Sequence, residues 1–198
     1  MRSYSDPLKI VLVALLATLI ASVRAAGLDE PLMLVAKPQL KDAFYGSTIL
    51  IAKAIGNDQH VGFVINKPTS VTMGQAFPGY GSSENAADFV FLGGPANSNM
   101  IFALVNRQES PGRGTIEFAP NIFLAVAAEA VARVIKTDAD HARFLLGAVV
   151  WRPGELQDEL KRGLWYVLEP DPELVLRKKT DGLWEELVRR TEVRDNAI

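Results

Sequence analysis

The stretch from Val61 to Thr69 constrains the fold most, because an apolar run in it stops abruptly at a polar turn that contains a proline. Its first half is rich in β-branched and aromatic residues, which predicts a strand buried on both faces. Gly62 within the run indicates a bulge or a close backbone approach. Pro68 donates no N–H and disfavours a helix before it. We therefore expect the strand to end in a polar turn at Asn66 and Lys67.

Turn segments that follow buried strands present candidate binding groups. Asn66 and Lys67 either form their turn through local backbone hydrogen bonds or present binding groups at the rim of the sheet. Gly93 and Gly94, which precede Pro95, either offer backbone N–H groups to an anion or make a sharp turn that only glycine allows. The sequence leaves these alternatives open.

The N-terminus has the three parts of a secretory signal. Arg2 and Lys9 give a basic start, and Ile10–Val23 is an apolar stretch of signal-peptide length, too short for a comfortable membrane span. Small residues flank Arg24 at a cleavage site, so we place the cut after Ala25. The alternatives are an uncleaved anchor and a start-site artefact in a cytosolic protein.

This interpretation divides the chain into a signal peptide at 1–25 and a single domain at 26–198. We expect a periplasmic or secreted protein whose N-terminal apolar segment engages the membrane during export, and the alternative is a cytoplasmic protein. The formal net charge of −2 provides no overall cationic field for nucleic acid. The sequence has no cysteine, which excludes disulfides, thiolate metal sites and cysteine nucleophiles.

Apolar runs and turn residues predict more strands than helices. The predicted strands lie at 32–36, 47–54, 61–65, 88–92, 100–105, 115–118, 144–151, 164–168 and 174–176. The predicted helices lie at 120–136, 155–162 and 183–190, with a helical turn or two at 71–77 and a surface loop at 78–87. Asp42 and Thr72 are expected to cap short turns. Several links between strands are too short for a crossover helix, which predicts an α+β domain with a mixed sheet.

The acidic helix that follows Trp151 is the most interesting cluster of ionisable residues. Glu155 and Glu159 are four residues apart and share a helix face. Such a pair does acid–base work or holds a divalent cation; the alternative is a solvated charged face with Trp151 in the core. His60 and His141 lack a ligand spacing, so we predict no metal site and no cofactor.

A resemblance to a known family is carried by residues spread over most of the chain. They are Leu34 to Leu40 with Asp42 and Phe44, then Val61 to Pro68, then Leu92-Gly93-Gly94-Pro95, and finally Leu146-Gly147 with Trp151, Gly154 to Leu160 and Trp165. In this order and at these separations, the chain resembles the AlgH/YqgE-like proteins of bacteria. The resemblance runs from about Pro31 to Arg190.

The resemblance implies a single α+β domain with a bent, partly barrel-like mixed β-sheet flanked by helices. It implies no catalytic residue, metal or cofactor. The chain departs from the family pattern at Ala43, where members usually have proline, and at Glu155, where many have glutamine.

Three functions remain open. The first is a non-catalytic binding or accessory module, exported to the cell envelope, with an unknown protein or small-molecule partner. The second is a hydrolase-type enzyme with a site near Asn66, Lys67 and the face formed by Glu155 and Glu159, which requires these groups to converge around a cleft.

The third function is a transcriptional regulator, from a label attached to some members of the resembling family. It requires a basic patch, for which 177–179 and 189–190 are the candidates. Export would separate the protein from nucleic acid, which makes a nucleic-acid partner the less favoured expectation.

Overall fold

The computed structural model describes residues 28–79 and 88–195. The predicted signal peptide at 1–25 and most of the predicted loop at 78–87 lie outside the described residues. Within the described ranges, no helix combines the length and the apolar character needed to cross a membrane.

The described strands form one sheet of ten strands, and helices pack against it. The strands are β1 (Leu32–Ala36), β2 (Ile49–Gly56), β3 (Gln59–Val64), β4 (Pro68–Thr72), β5 (Phe89–Leu92), β6 (Ala96–Asn106), β7 (Thr115–Ala119), β8 (Ile122–Ala125), β9 (Ala142–Trp151) and β10 (Trp165–Leu168). The helices are α1 (Met73–Ala76), α2 (Ala128–Thr137), α3 (Glu155–Lys161), α4 (Pro172–Val175) and α5 (Leu183–Asp195), with a 3₁₀ turn at Ala139–His141.

Strand β9 organises the sheet because both of its edges are paired. Strand β6 runs antiparallel along one edge, where Phe102 lies opposite Leu145. On the other edge, β3 pairs antiparallel with the second half of β9, and β5 pairs parallel with the first half, where Phe91 lies opposite Leu145. The path through the sheet is β10-β1-β2-β3-β9-β6-β8-β7, and β4 pairs with β5. The sheet curls into a half-barrel, which confirms the predicted α+β class with a bent mixed sheet.

The crossing of two glycine-containing segments bends the sheet at its centre. Gly147, in the middle of β9, has a φ of 72°, a left-handed conformation that favours glycine. A Cβ atom on Gly147 would lie 2.2 Å from the carbonyl oxygen of Gly94. The two backbones therefore meet where there is no room for a side chain on either.

Apolar clusters fill both faces of the sheet. One cluster contains Phe63 and Phe102, whose ring centroids are 5.3 Å apart. A second contains Val131 of α2 and packs that helix against β6 and β8. A third contains Trp151 and Trp165 and lies beside α3. Burial of these large side chains supplies the main stabilisation of the fold.

The turn residues Gly56 to Gln59 predict an antiparallel hairpin between the strands at 47–54 and 61–65, and the structure confirms it. Strands β2 and β3 pair antiparallel, with Ile51 opposite Phe63. Gly62 marks a close approach, because a Cβ atom there would lie 2.7 Å from the ring of Trp151. The β-bulge in this pair lies elsewhere, between Ala54 and Gly56.

The prediction of one helix over 120–136 is wrong in its first half. Ile122–Ala125 is strand β8, which pairs with β6 and β7, and α2 begins at Ala128. All four residues of β8 are buried. A run that is apolar on every position fits a doubly buried strand as well as a helix, and pairing with two neighbouring strands decides between them.

Two shorter elements also differ from expectation. The predicted strand at 174–176 is wrong, because Pro172–Val175 is helix α4, whose first turn is capped by Asp171 through the N–H of Glu173. The expected helical turn at 71–77 is present as α1, and Thr72 caps it together with Gln75 in a capping box. The strand β4 that precedes it was not predicted.

Candidate functional site

Asn66 and Lys67 close the turn after β3 by bonding to the preceding chain. The Asn66 Oδ1 atom accepts the N–H of Ile49 at 2.8 Å, and Nδ2 donates to the Ser47 carbonyl at 2.9 Å. The Lys67 ammonium donates to the Phe44 carbonyl and lies 5.3 Å from the Phe44 ring centroid. Burial lowers the pKa of Lys67, and the charge of Asp42 opposes that shift. Both side chains thus hold residues 42–48, which we call the Tyr45 loop.

Asp42 shapes the Tyr45 loop, as its predicted role as a cap requires. Its Oδ1 atom accepts the N–H groups of Phe44 at 2.8 Å and Tyr45 at 2.7 Å. These backbone hydrogen bonds, first from Tyr45 and then from Phe44, hold the pKa of Asp42 below its ordinary value, and the charge of Lys67 acts in the same direction. The turn is therefore stabilised by an ionised carboxylate.

The Tyr45 loop also approaches the acidic helix α3. Burial raises the pKa of Tyr45, and the charges of Glu159, Asp42 and Glu155 act in the same direction. The charge of Asp42 also acts to raise the pKa of Lys67, against the larger effect of burial. The structure thus places the predicted turn residues and the predicted carboxylate pair near the same loop.

Glu159 is the acceptor for two tryptophan side chains. Its Oε2 atom accepts the indole N–H of Trp151 at 3.0 Å and that of Trp165 at 2.8 Å. Both indoles are buried, being 3% and 5% exposed. Glu155 accepts the backbone N–H of Arg152 at 2.7 Å and so supports the turn that begins α3. These contacts are structural, and a binding role for the cluster stays a prediction.

The backbone N–H groups of Gly93 and Gly94, which an anion would need, are already hydrogen-bonded within the fold. Both groups point to the carbonyl of Leu146, at 2.8 Å and 3.3 Å. A Cβ atom on Gly93 would lie 2.4 Å from the Gly147 carbonyl oxygen. The contacts of this segment match the sharp turn that only glycine allows.

A separate cavity of about 400 Å³ opens between β4, β5, β9 and the segment before α5, and we call it the arginine pocket. Its apolar lining residues are Pro68, Met73, Phe89, Phe91, Ala142 and Phe144. Its polar lining residues are Asp88, Arg143, Lys178, Lys179, Thr180 and Asp181. Ligand sites of proteins have volumes of roughly 300–1,000 Å³ and are mostly apolar with a few polar groups, so size and lining fit a small ligand.

Arg143 is the buried charge of this pocket. Its side chain is only 3% exposed, and its guanidinium carbon lies 4.0 Å from the Phe91 ring centroid. Nε donates to the Val175 carbonyl at 2.8 Å, and Nη2 donates to the Arg177 carbonyl. Nη1 is buried and finds no acceptor in the part of the chain that the structure describes. Burial lowers the pKa of Arg143 to about 9, so the guanidinium remains charged at neutral pH.

The two lysines of the pocket differ in how they are held. The Lys178 ammonium is fixed by Asp88 at 3.0 Å and by the carbonyls of Ala139 at 3.2 Å and Ala142 at 3.0 Å. Lys179 is exposed, and no described residue makes a hydrogen bond or ion pair with its ammonium. The pocket therefore combines one exposed lysine held by three acceptors, one exposed lysine without a described partner and one buried guanidinium.

The sequence pattern did not point to Arg143, because this residue ends a polar segment at 138–143, directly before the predicted strand at 144–151. The structure begins β9 at Ala142 and buries Arg143 inside the strand. The available signal for a buried arginine was its position directly before the apolar run at 144–151. Charged residues are almost never fully buried unless they are paired.

Metal ligation has no support among residues 28–79 and 88–195. No group of three or more histidine, aspartate or glutamate side chains there is arranged to hold a metal ion. The ionisable lining of the arginine pocket consists of three cationic side chains and two carboxylates, and one of those carboxylates is paired with Lys178.

Comparison with known proteins places the chain among bacterial relatives. The sequence profile of the AlgH-like family matches residues 33–195. A UPF0301 protein of Myxococcus xanthus is 30% identical over 166 residues, which cover 80% of this chain and 88% of that protein. A UPF0301 protein of Streptomyces avermitilis is 28% identical over 165 residues, which cover 80% of this chain and 84% of that protein.

Solved structures share the fold. The AlgH protein of Pseudomonas aeruginosa matches with a TM-score of 0.66 at 18% identity, covering 96% of this chain and 93% of that one. A protein of Corynebacterium diphtheriae matches with a TM-score of 0.65 at 18% identity, covering 80% of this chain and 85% of that one. These likenesses support the curled α+β architecture alone.

Proposed function

This chain belongs to the AlgH-like family, and we propose that the protein is a non-catalytic binding module whose ligand site is the arginine pocket. The observation that carries the proposal is Arg143, a lining residue of this cavity whose buried Nη1 atom has no acceptor among the described residues. A buried charged donor without a partner destabilises the fold by up to a few kcal/mol. A ligand with an acceptor atom would remove that cost.

The chemistry of the lining favours binding over catalysis. Its polar side chains are two lysines, one arginine, two aspartates and one threonine. Lys178 donates to three oxygen acceptors, Asp88 among them. Among the described residues, no hydrogen bond joins the Thr180 hydroxyl to Asp88 or Lys178. Acyl transfer requires a nucleophile hydrogen-bonded to a base, and the lining offers no such pair.

The alternative of a nucleic-acid-binding regulator has less support, because three of the five basic residues in the two candidate patches are paired with carboxylates. Arg177 and Glu186 are 2.7 Å apart, and Arg190 lies 3.5 Å from the same carboxylate. Lys178 is paired with Asp88 at 3.0 Å. Nucleic-acid binding depends on cationic side chains that neutralise phosphates and release the counterions bound to them. The ion pairs within the protein therefore weaken both patches.

The proposal includes export to the periplasm or the cell exterior. Its support is the basic start, the apolar stretch at 10–23 and the cleavage site after Ala25. Sequencing the N-terminus of the protein from fractionated source cells would test this part separately.

A variant that blocks the pocket tests the ligand site. Asp181 lines the pocket and is exposed, so Asp181→Trp adds a bulky side chain at its mouth without disturbing the core. We expect fragments that bind the wild-type protein, found in a panel of acids, amines and neutral amides by ligand-observed NMR, to bind the variant about tenfold more weakly or not at all.

Glu109→Trp is the matched control, because it removes the same charge and adds the same indole on an exposed loop outside the pocket. It should leave fragment binding unchanged. Equal binding to wild type and Asp181→Trp would contradict the proposed location. Conversion of bound fragments into products that requires the open pocket would contradict the non-catalytic role.

A further inference from the structure

We infer that the arginine pocket selects a small organic monoanion, with one carboxylate head on a ring-sized apolar body. This inference rests on the proposed function, since it names the ligand class of the same pocket. Its three supports are the charge balance of the lining, the fixed guanidinium of Arg143 and the apolar walls.

The charge balance of the lining matches a single negative charge. Three basic and two acidic residues line the cavity, which leaves a net charge of +1. Lys178 and Asp88 form an ion pair and largely cancel each other. A monoanion neutralises the remaining charge, whereas a phosphate monoester with two charges would bring an uncompensated one into an apolar cavity.

Arg143 is prepared to receive the head group. Val175 and Arg177 already hold two of its nitrogen atoms through their carbonyls, and Phe91 stacks against its plane. The side chain therefore loses little conformational freedom when an anion binds. A guanidinium nitrogen and a carboxylate oxygen form a charge-assisted hydrogen bond, which is stronger than a bond to a neutral acceptor.

The apolar walls accept the rest of the ligand. Phe91 and Phe144 line the cavity from β5 and β9, and Met73 lines it from α1. Phe89 is 50% exposed although it is aromatic and lies at the same cavity. A ring placed against Phe89 would cover apolar surface that now faces water, which is favourable.

Titration calorimetry with three matched probes tests the charge selectivity. The probes are 2-naphthoate, the neutral 2-naphthamide and 2-naphthyl phosphate, which is a dianion at pH 8. We expect the carboxylate to bind about tenfold or more tightly than the amide, because the hydrogen bond to Arg143 is charge-assisted. We expect the phosphate to bind no more tightly than the carboxylate.

Arginine variants assign that preference to one side chain. Arg143→Met should reduce the preference for carboxylate over amide to less than about threefold. Arg133→Met is the matched control, because Arg133 also donates to two carbonyls, those of Pro111 at 3.0 Å and Arg113 at 2.5 Å, and lies outside the pocket. It should keep the wild-type preference. Lys179→Ala, at an exposed lining position, should weaken carboxylate binding about threefold and provides the test if Arg143→Met does not fold.

Several results would overturn the inference. They are equal binding of amide and carboxylate, tighter binding of the phosphate, no measurable binding of the carboxylate, and an unchanged preference in a folded Arg143→Met or in Lys179→Ala. Amide binding that Asp181→Trp abolishes would leave the pocket as the ligand site and contradict only the charge selectivity. The two proposals can therefore fail separately.

Discussion

Gly94→Ala is expected to lower the free energy of unfolding by about 3 kcal/mol or more, or to prevent folding. A Cβ atom on Gly94 would lie 2.1 Å from the carbonyl carbon of Ala148 and 2.2 Å from its oxygen. These are backbone atoms of the central strand β9, which cannot move without breaking its pairing with β3, β5 and β6. Urea denaturation of the variant, followed by circular dichroism, measures the loss.

Gly182→Ala is the control for the steric argument. Gly182 has a φ of 71°, but a Cβ atom there would meet nothing within 4 Å. The substitution should therefore cost only the left-handed backbone conformation, about 1–2 kcal/mol. If both variants lost the same stability, the close approach of Gly94 to β9 would not be the cause.

Glu159→Leu is expected to lower the free energy of unfolding by about 2–5 kcal/mol. The substitution leaves the buried indole N–H groups of Trp151 and Trp165 without the carboxylate oxygen that accepts both. Glu159→Gln keeps an amide oxygen at this position and should recover most of the loss. Thermal unfolding monitored by tryptophan fluorescence measures both variants.

Asp158→Leu on the same helix is the control for Glu159. Asp158 is exposed and makes an ion pair with Lys161 at 3.6 Å, which contributes little. It should change stability by no more than about 0.5 kcal/mol. A Glu159→Leu variant as stable as wild type would contradict the structural role and would return Glu159 to the candidates for catalysis.

The sequence predicted the parts of the fold that local chemistry decides. The hairpin of β2 and β3, the turn at Asn66 and the cap at Asp42 depend on residues close together in the chain, and the structure contains them. The sequence did not separate β8 from α2, since an apolar run at 122–125 satisfies both a buried strand and a helix. Only pairing with β6 and β7 decides that question.

The arginine pocket could not be predicted for a related reason. Its residues come from distant parts of the chain, and its ion pair joins Asp88 to Lys178, which are 90 residues apart. The role of Arg143 depends on the carbonyls of Val175 and Arg177, in a region for which a strand was expected. Burial of a charged residue is a tertiary property, and spacing along the chain carries little information about it.

The pocket and the Tyr45 loop lead to different expectations for ligands. Around the Tyr45 loop, the side chains of Asn66, Asp42 and Glu159 already serve as hydrogen-bond partners within the fold. In the arginine pocket, a buried cationic donor has no acceptor among the described residues. Unpaired buried charge indicates a binding site more strongly than a fully bonded cluster does.

The most direct measurement is a ¹⁵N-resolved NMR titration of the wild-type protein with 2-naphthoate. If the arginine pocket is the ligand site, the largest chemical-shift changes will fall on Phe91, Arg143 and Lys179, which line it. Changes concentrated instead on Tyr45 and Glu159 would contradict it and would place the ligand site beside the acidic helix.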